Sequence, residues 1–257
     1  MMLRTPAFRP ACAGVAWGSD AARALLEHNG LADVDRVFSR FRPDRWRHAG
    51  RAVVEAALPS PGGGERRVFV KLSFGRRRWW PRMADLKTGQ FWQSLPLREW
   101  RGIERLEALG LFVPERIGLY GEGLWRSRAA VIVGAVPAPH SIDELLRSGR
   151  WRHLDRPDRE FILEEVVAAA RRIHAAGLAW RGICSRHFFP VRQPDGRWRL
   201  WLIDLEGLHR RRGSRPVERD FSKLLRAMQA SGADAETLEV LAAKINARPA
   251  APMTNDQ

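Results

Sequence analysis

The sequence predicts an α+β chain in which a small antiparallel sheet lobe precedes a larger helical lobe. Three observations predict it. Two short β-branched runs, Arg51–Leu58 and Arg67–Leu72, flank the turn-rich segment Pro59-Ser-Pro-Gly-Gly-Gly-Glu65 and read as a hairpin. A strongly helical segment, Pro157–Ala176, lies in the second half and ends before Gly177. Strands with one helix come first, and helices with one short hairpin follow, an order that suits two packed layers rather than alternating βα units.

Each element follows from local pattern. Residues 1–19 and 246–257 are rich in Arg, Pro and small residues and are expected to be poorly ordered. Ser19-Asp20 caps a short helix running to His28. Residues 97–109 read as a helix whose Trp100, Ile103 and Leu106 form an apolar stripe, with Glu99 on the same edge. A further strand pair is expected near Arg116–Leu119 and Ala129–Val133. Gly134–His140, with two prolines, reads as a hinge, and Ser141-Ile-Asp-Glu144 is a capping box that opens the next helix. In the long helix, Phe161, Val166, Val167, Ala170 and Ile173 are the expected core face. The division follows as a sheet lobe over 20–134 and a helical lobe over 135–245.

Composition narrows the partners. The net charge is +15, and of 44 basic residues only Lys71, Lys87, Lys223 and Lys244 are lysines. Such a charge attracts anionic surfaces or ligands. Phe74–Arg82 and His209–Arg215 mix Arg with aromatic or turn residues, which suits an anionic glycolipid head group or a membrane surface. The same mixing can bind single-stranded nucleic acid, but no nucleic-acid motif accompanies it. The two cysteines, Cys12 and Cys184, make no disulfide framework, and no Cys/His spacing suggests zinc. No run of 18 apolar residues appears, so no membrane-spanning helix is expected, and the chain is expected to be cytoplasmic, peripheral to a membrane.

The chemistry concentrates in a few positions. Lys71 stands mid-strand, and Glu99 shares the inward edge of the next helix. A buried lysine–carboxylate pair can position nucleotide phosphates. Asp204 follows the apolar Trp201-Leu202-Ile203 and can hold Mg²⁺. Between them runs His174-Ala-Ala-Gly177 through Trp180-Arg181-Gly182 to His187. His187, five residues after Gly182, is a candidate metal ligand, although imidazole suits hard Mg²⁺ less well than oxygen does. His174 is expected to hydrogen-bond within this loop. Asp220, at the start of a helix, is expected to brace it through backbone N–H groups. The glycines after Pro61 do not open a helix and read as a hairpin turn. The segment Trp46–Arg51 is the expected glycine-rich loop over a nucleotide.

These motifs together resemble the lipopolysaccharide core kinases, the Kdo and heptose kinases that share the protein-kinase fold. The carriers are Phe69-Val-Lys71-Leu-Ser-Phe-Gly75, Arg98-Glu99-Trp100, His174-Ala-Ala-Gly177, Arg181 with His187-Phe188, Ile203-Asp204-Leu205-Glu206 and Glu218-Arg219-Asp220. The match spans about 35–230. The resemblance implies an enzyme that uses ATP and Mg²⁺ to phosphorylate a lipopolysaccharide inner-core sugar in a Gram-negative bacterium. Lys71 and Glu99 would bind nucleotide, Asp204 and His187 metal, and Arg181 would serve the catalytic loop. One position departs from it: Gly182 stands where these kinases carry the catalytic Asp. Glu206 is the candidate substitute base. The alternative is a nucleotide-binding pseudokinase acting as a regulator or scaffold in envelope biogenesis.

Overall fold

The structure, a computed structural model, describes residues 14–42, 50–74, 93–121, 128–211, 213 and 215–247. The chain divides into two compact units. The first comprises Met1–Pro137, Leu178–Gly182 and Trp201–Arg210; the second comprises Ala138–Gly177, Ile183–Leu200 and Arg211–Gln257. The sequence reading assigned all of 135–245 to one lobe. The segments bearing Gly182 and Asp204 instead pack with the first unit, because each lies in or beside the antiparallel ladder Leu178–Trp180 with Leu208–Arg210.

The first unit is built on five antiparallel strands: β1 (Gly14–Trp17), β2 (Arg51–Pro59), β3 (Glu65–Ser73), β4 (Arg116–Gly121) and β5 (Ala129–Gly134), in the order β1-β4-β5-β3-β2. Strand β1 corrects the expectation for residues 1–19: Gly14–Trp17 pairs residue for residue with β4. Helix α1 (Asp20–His28) is capped by Ser19, whose Oγ accepts from the Ala22 N–H at 3.1 Å. Helix α2 (Val34–Arg40) was not foreseen; the Asp33 carboxylate caps it, accepting from the Arg36 N–H at 2.9 Å.

Side-chain alternation in β3 decides what faces what. Val68, Val70 and Leu72 enter a core with Leu25, Leu26, Val37, Ile117 and Ile132, so Lys71 is left to the opposite face. Tyr120 lies in this core, its phenol donating to the Leu31 carbonyl at 2.7 Å. Helix α3 (Leu95–Ala108) starts at Ser94, which caps it, with Pro96 in its first turn.

The second unit holds α4 (Ile142–Arg147), α5 (Arg156–Ala175), α6 (Arg215–Ala230) and α7 (Ala235–Asn246). The short strands β6 (Leu178–Trp180) and β9 (Leu208–Arg210) form the ladder of the first unit, and β7 (Phe188–Arg192) pairs with β8 (Trp198–Leu202). The capping box at Ser141 and Glu144 is present in both directions. Along α5, Ile162, Leu163, Val166, Val167, Ala170 and Ile173 are buried, whereas Phe161 is 42% exposed. The expected place of Phe161 in the core is therefore corrected: Ile162 and Leu163 hold the inward phase, and Phe161 sits one residue outside it. Gly177 stops α5 at φ +70°, a left-handed turn that favours glycine.

Candidate active site

Four carriers of the predicted chemistry meet within the first unit. The Lys71 Nζ donates to Glu99 Oε1 at 2.9 Å and lies 3.7 Å from Asp204 Oδ1. Glu99 is 2% exposed. It reaches Lys71 because α3 places Trp100, Ile103 and Leu106 in the core and carries Glu99 in on the same side. Burial works against the Lys71 charge, but the Glu99 and Asp204 carboxylates outweigh it and hold the ammonium above the usual lysine value. The second Glu99 oxygen, Oε2, is buried without a hydrogen-bond partner among the described residues.

Asp204 adopts φ 59° and ψ 57°, the only non-glycine positive φ among the described residues. Left-handed backbone costs about 1–3 kcal/mol for a non-glycine and persists only when neighbours impose it. Two neighbours do so here. The fully buried Trp180 donates its indole N–H to the Asp204 carbonyl at 3.2 Å. Leu205, also fully buried, packs against Gly102 of α3, where a Cβ would lie 2.7 Å from the Leu205 Cβ and carbonyl oxygen. Sequence reasoning named Trp180 only as part of the loop and overlooked Gly102. Both carry signals: a tryptophan before the loop arginine, and a glycine inside an otherwise strong helix.

Gly182 lies beside this turn. The Arg181 N–H donates to the Gly207 carbonyl at 3.2 Å, and a Cβ on Gly207 would approach the Gly182 nitrogen at 3.0 Å. Glu206 is bound by Arg51, whose Nη2 donates to its two oxygens at 3.1 and 3.2 Å. Burial first, and then Asp204, push the Glu206 carboxyl above its usual value, while Arg51 and Lys71 pull it down. The site therefore gathers the carboxylates of Glu99, Asp204 and Glu206 around the cations Lys71 and Arg51.

The other predicted residues belong to the second unit. His174 reaches Asp220 at 3.4 Å, which corrects the expectation that it bonds within the loop. Asp220 is fully buried within α6, not at its start, and also accepts from Arg219 at 3.1 Å. His187 is buried in the turn Ser185–His187, with the Cys184 Sγ 3.4 Å from its Nδ1. Burial opposes the Cys184 thiolate, but the His187 contact outweighs it and lowers the thiol below its usual value.

No group of three or more His, Cys, Asp or Glu residues gathers among the described residues in a way that could hold a metal by itself. The donor set still fits a nucleotide-bound Mg²⁺, which takes one or two carboxylates and completes its shell with phosphate oxygens and water. Asp204, with its side chain 40% exposed beside Lys71, offers such a carboxylate. Of the expected glycine-rich loop, 46–49 lie outside the described residues, as do 75–82 of the first basic cluster and Arg212 and Ser214 of the second. His209 leaves the second cluster: it is 7% exposed, its Nδ1 facing the Gly207 carbonyl at 2.9 Å.

A family model described as "Lipopolysaccharide kinase (Kdo/WaaP) family" matches residues 84–243. A solved structure titled "WaaP in complex with acyl carrier protein" superimposes with a TM-score of 0.64 and 18% sequence identity, covering 92% of this chain and 90% of that one. At that identity the likeness shows the fold, which is protein-kinase-like. No curated protein matches the chain.

Proposed function

Because the chain belongs to the lipopolysaccharide kinase (Kdo/WaaP) family, we propose that it transfers the γ-phosphate of ATP to a hydroxyl of a lipopolysaccharide inner-core sugar, slowly. The observation that carries this reading is the Lys71–Glu99 pair at 2.9 Å, with Asp204 at 3.7 Å from the same ammonium. Glu99 orients Lys71 toward phosphate oxygens, and the Asp204 carboxylate would hold the metal. Mg²⁺, when bound, neutralises the β- and γ-phosphate oxygens. In the transfer, the sugar oxygen forms a bond to the γ-phosphorus, the bond from that phosphorus to the β-bridging oxygen breaks, and ADP leaves. The hydroxyl proton must pass to a base.

Gly182 offers no side chain for that proton. Loss of general-base help costs about 10²–10⁴-fold in rate, yet phosphoryl transfer rests mostly on positioning and electrostatics. Glu206 is the acceptor we favour in its place, since burial and Asp204 raise its carboxyl above the usual value and a more basic carboxylate is a better base. His187 would contribute at the metal or orient the loop. Arg-rich surface would draw the enzyme to its anionic glycolipid at the cytoplasmic face of the inner membrane. Among the described residues, no helix is long and apolar enough to cross a membrane.

A second reading, a pseudokinase that binds nucleotide and regulates envelope biogenesis, is favoured by Gly182 alone. One experiment separates the two. Transfer of labelled γ-phosphate to dephosphorylated lipopolysaccharide core is measured with Asp204→Asn as the blank and Gly182→Asp as the restored base. Transfer that vanishes in the blank and rises in Gly182→Asp supports the kinase. Mg·ATP binding without transfer in either the native chain or Gly182→Asp supports the pseudokinase.

A further inference from the structure

Strand register places two cations on one face of the first sheet. Arg51 lies opposite Ser73, and Val53 lies opposite Lys71. Residues two apart on a strand share a face, so Arg51 and Lys71 are diagonal neighbours, roughly 7–8 Å apart at the backbone. This face lies opposite the one that buries Val68, Val70 and Leu72. Val53 sits beside both cations and is 62% exposed, leaving open apolar surface there. Both cations end on the same turn: Lys71 at Asp204 and Arg51 at Glu206.

The two ion pairs differ in kind. Glu99, which anchors Lys71, has a side chain only 3% exposed. The Arg51 and Glu206 side chains are 41% and 32% exposed, so water already competes for their pairing. Half-exposed pairs contribute little to stability and are readily exchanged. A guanidinium matches phosphate as well as it matches carboxylate, in the same planar two-point geometry. A triphosphate carries more charge than one carboxylate does.

Resting on the phosphotransferase reading above, we propose that Arg51 is a second phosphate-binding cation, which gives up Glu206 for the phosphate oxygens of an entering nucleoside triphosphate. Glu206 is then a placeholder for the phosphates on Arg51. Its carboxylate loses its cation only once the triphosphate is seated, the stage at which a proton acceptor is needed.

The test is calorimetric titration of the full chain with Mg·ATP and with adenosine, which shares the base and lacks the phosphates. Arg51→Ala is expected to weaken Mg·ATP by roughly ten- to a hundredfold, the size of a lost charge-assisted hydrogen bond, while adenosine binding is unchanged. Arg51→Lys recovers part of the loss. Glu206→Gln, which removes the competitor, tightens Mg·ATP. Unchanged Mg·ATP affinity in Arg51→Ala overturns the proposal. An equal loss for Mg·ATP and adenosine overturns it too, because that pattern marks a structural role, and so does weaker Mg·ATP binding in Glu206→Gln. If Arg51→Ala does not fold, Arg51→Lys decides by the same comparison. A native chain that binds no Mg·ATP defeats the phosphotransferase reading itself, an outcome distinct from any result at Arg51.

Discussion

Gly102→Ala sets two physical effects against each other with opposite signs. Alanine is about 1 kcal/mol better than glycine inside a helix, so propensity alone predicts a more stable protein. At this position the new Cβ would stand 2.7 Å from both the Leu205 Cβ and its carbonyl oxygen, and 3.2 Å from the carbonyl carbon. Two of these atoms are backbone, so no side-chain rotation relieves the clash, and α3 must move away from the turn after Asp204. Overpacking of this kind costs about 1–3 kcal/mol. With a rigid neighbour the upper end applies, and the net is a loss of about 2 kcal/mol after the helix gain. For a chain of this size that lowers the unfolding midpoint by roughly 4–8 °C. Because Glu99 is one turn before Gly102 and Asp204 adjoins Leu205, the same shift pulls the Lys71 partners apart and, under the proposed phosphotransferase function, should weaken Mg·ATP binding. The assay is thermal unfolding followed by circular dichroism, paired with nucleotide titration. An unchanged or raised midpoint would refute the close approach of α3 to Leu205, whatever the effect on activity.

Two further predictions rest on other contacts. The Lys71 ammonium has a folded pKa above the ordinary 10.5, because Glu99 and Asp204 outweigh burial; its stabilisation is complete below that value and is withdrawn as pH climbs through the raised one. Urea midpoints of the native chain should therefore fall above that pH. Lys71→Met, about 3 kcal/mol weaker at neutral pH because it strands the buried Glu99 charge, should lack that alkaline limb. In the second unit the Asp143 carboxylate accepts from Ser231 at 2.5 Å and from Arg147 at 2.8 Å, and Ser231 in turn meets Ser185 at 2.9 Å. Asp143→Ala removes the shared acceptor, but Ser231 can still donate to the Ala227 carbonyl at 2.7 Å and Ser185 to Ser231, so the loss should be about 1 kcal/mol by urea denaturation. Asp143→Asn, which keeps an acceptor oxygen, should cost less.

Much of the site was legible in one dimension because its groups sit on elements with strong periods. Lys71 alternates with Val68, Val70 and Leu72, and Glu99 shares the edge of Trp100, Ile103 and Leu106. A carboxylate on an apolar helix edge needs a cation, and the strand lysine was the available one. The same logic failed where a neighbour distant in sequence decides the outcome. Gly14–Trp17 has little strand pattern of its own and becomes β1 only because β4 supplies its hydrogen bonds. His174 has no local signal for its partner; Asp220 comes to it from α6, 46 residues away.

The sequence by itself determined the two-layer α+β class, the capped helices and the identities of Lys71, Glu99 and Asp204, because propensity, capping and alternation act over a few residues. It also determined that Gly182 has no side chain to take a proton, which no folding can alter. Tertiary structure alone decided which face of β3 Lys71 takes, that Trp180 holds Asp204 in a left-handed turn, and that Arg51 occupies Glu206 155 residues away. Those are pairings of opposite charge or of donor with acceptor between remote segments. Their strength depends on distance and burial, and a linear chain specifies neither until its core has closed.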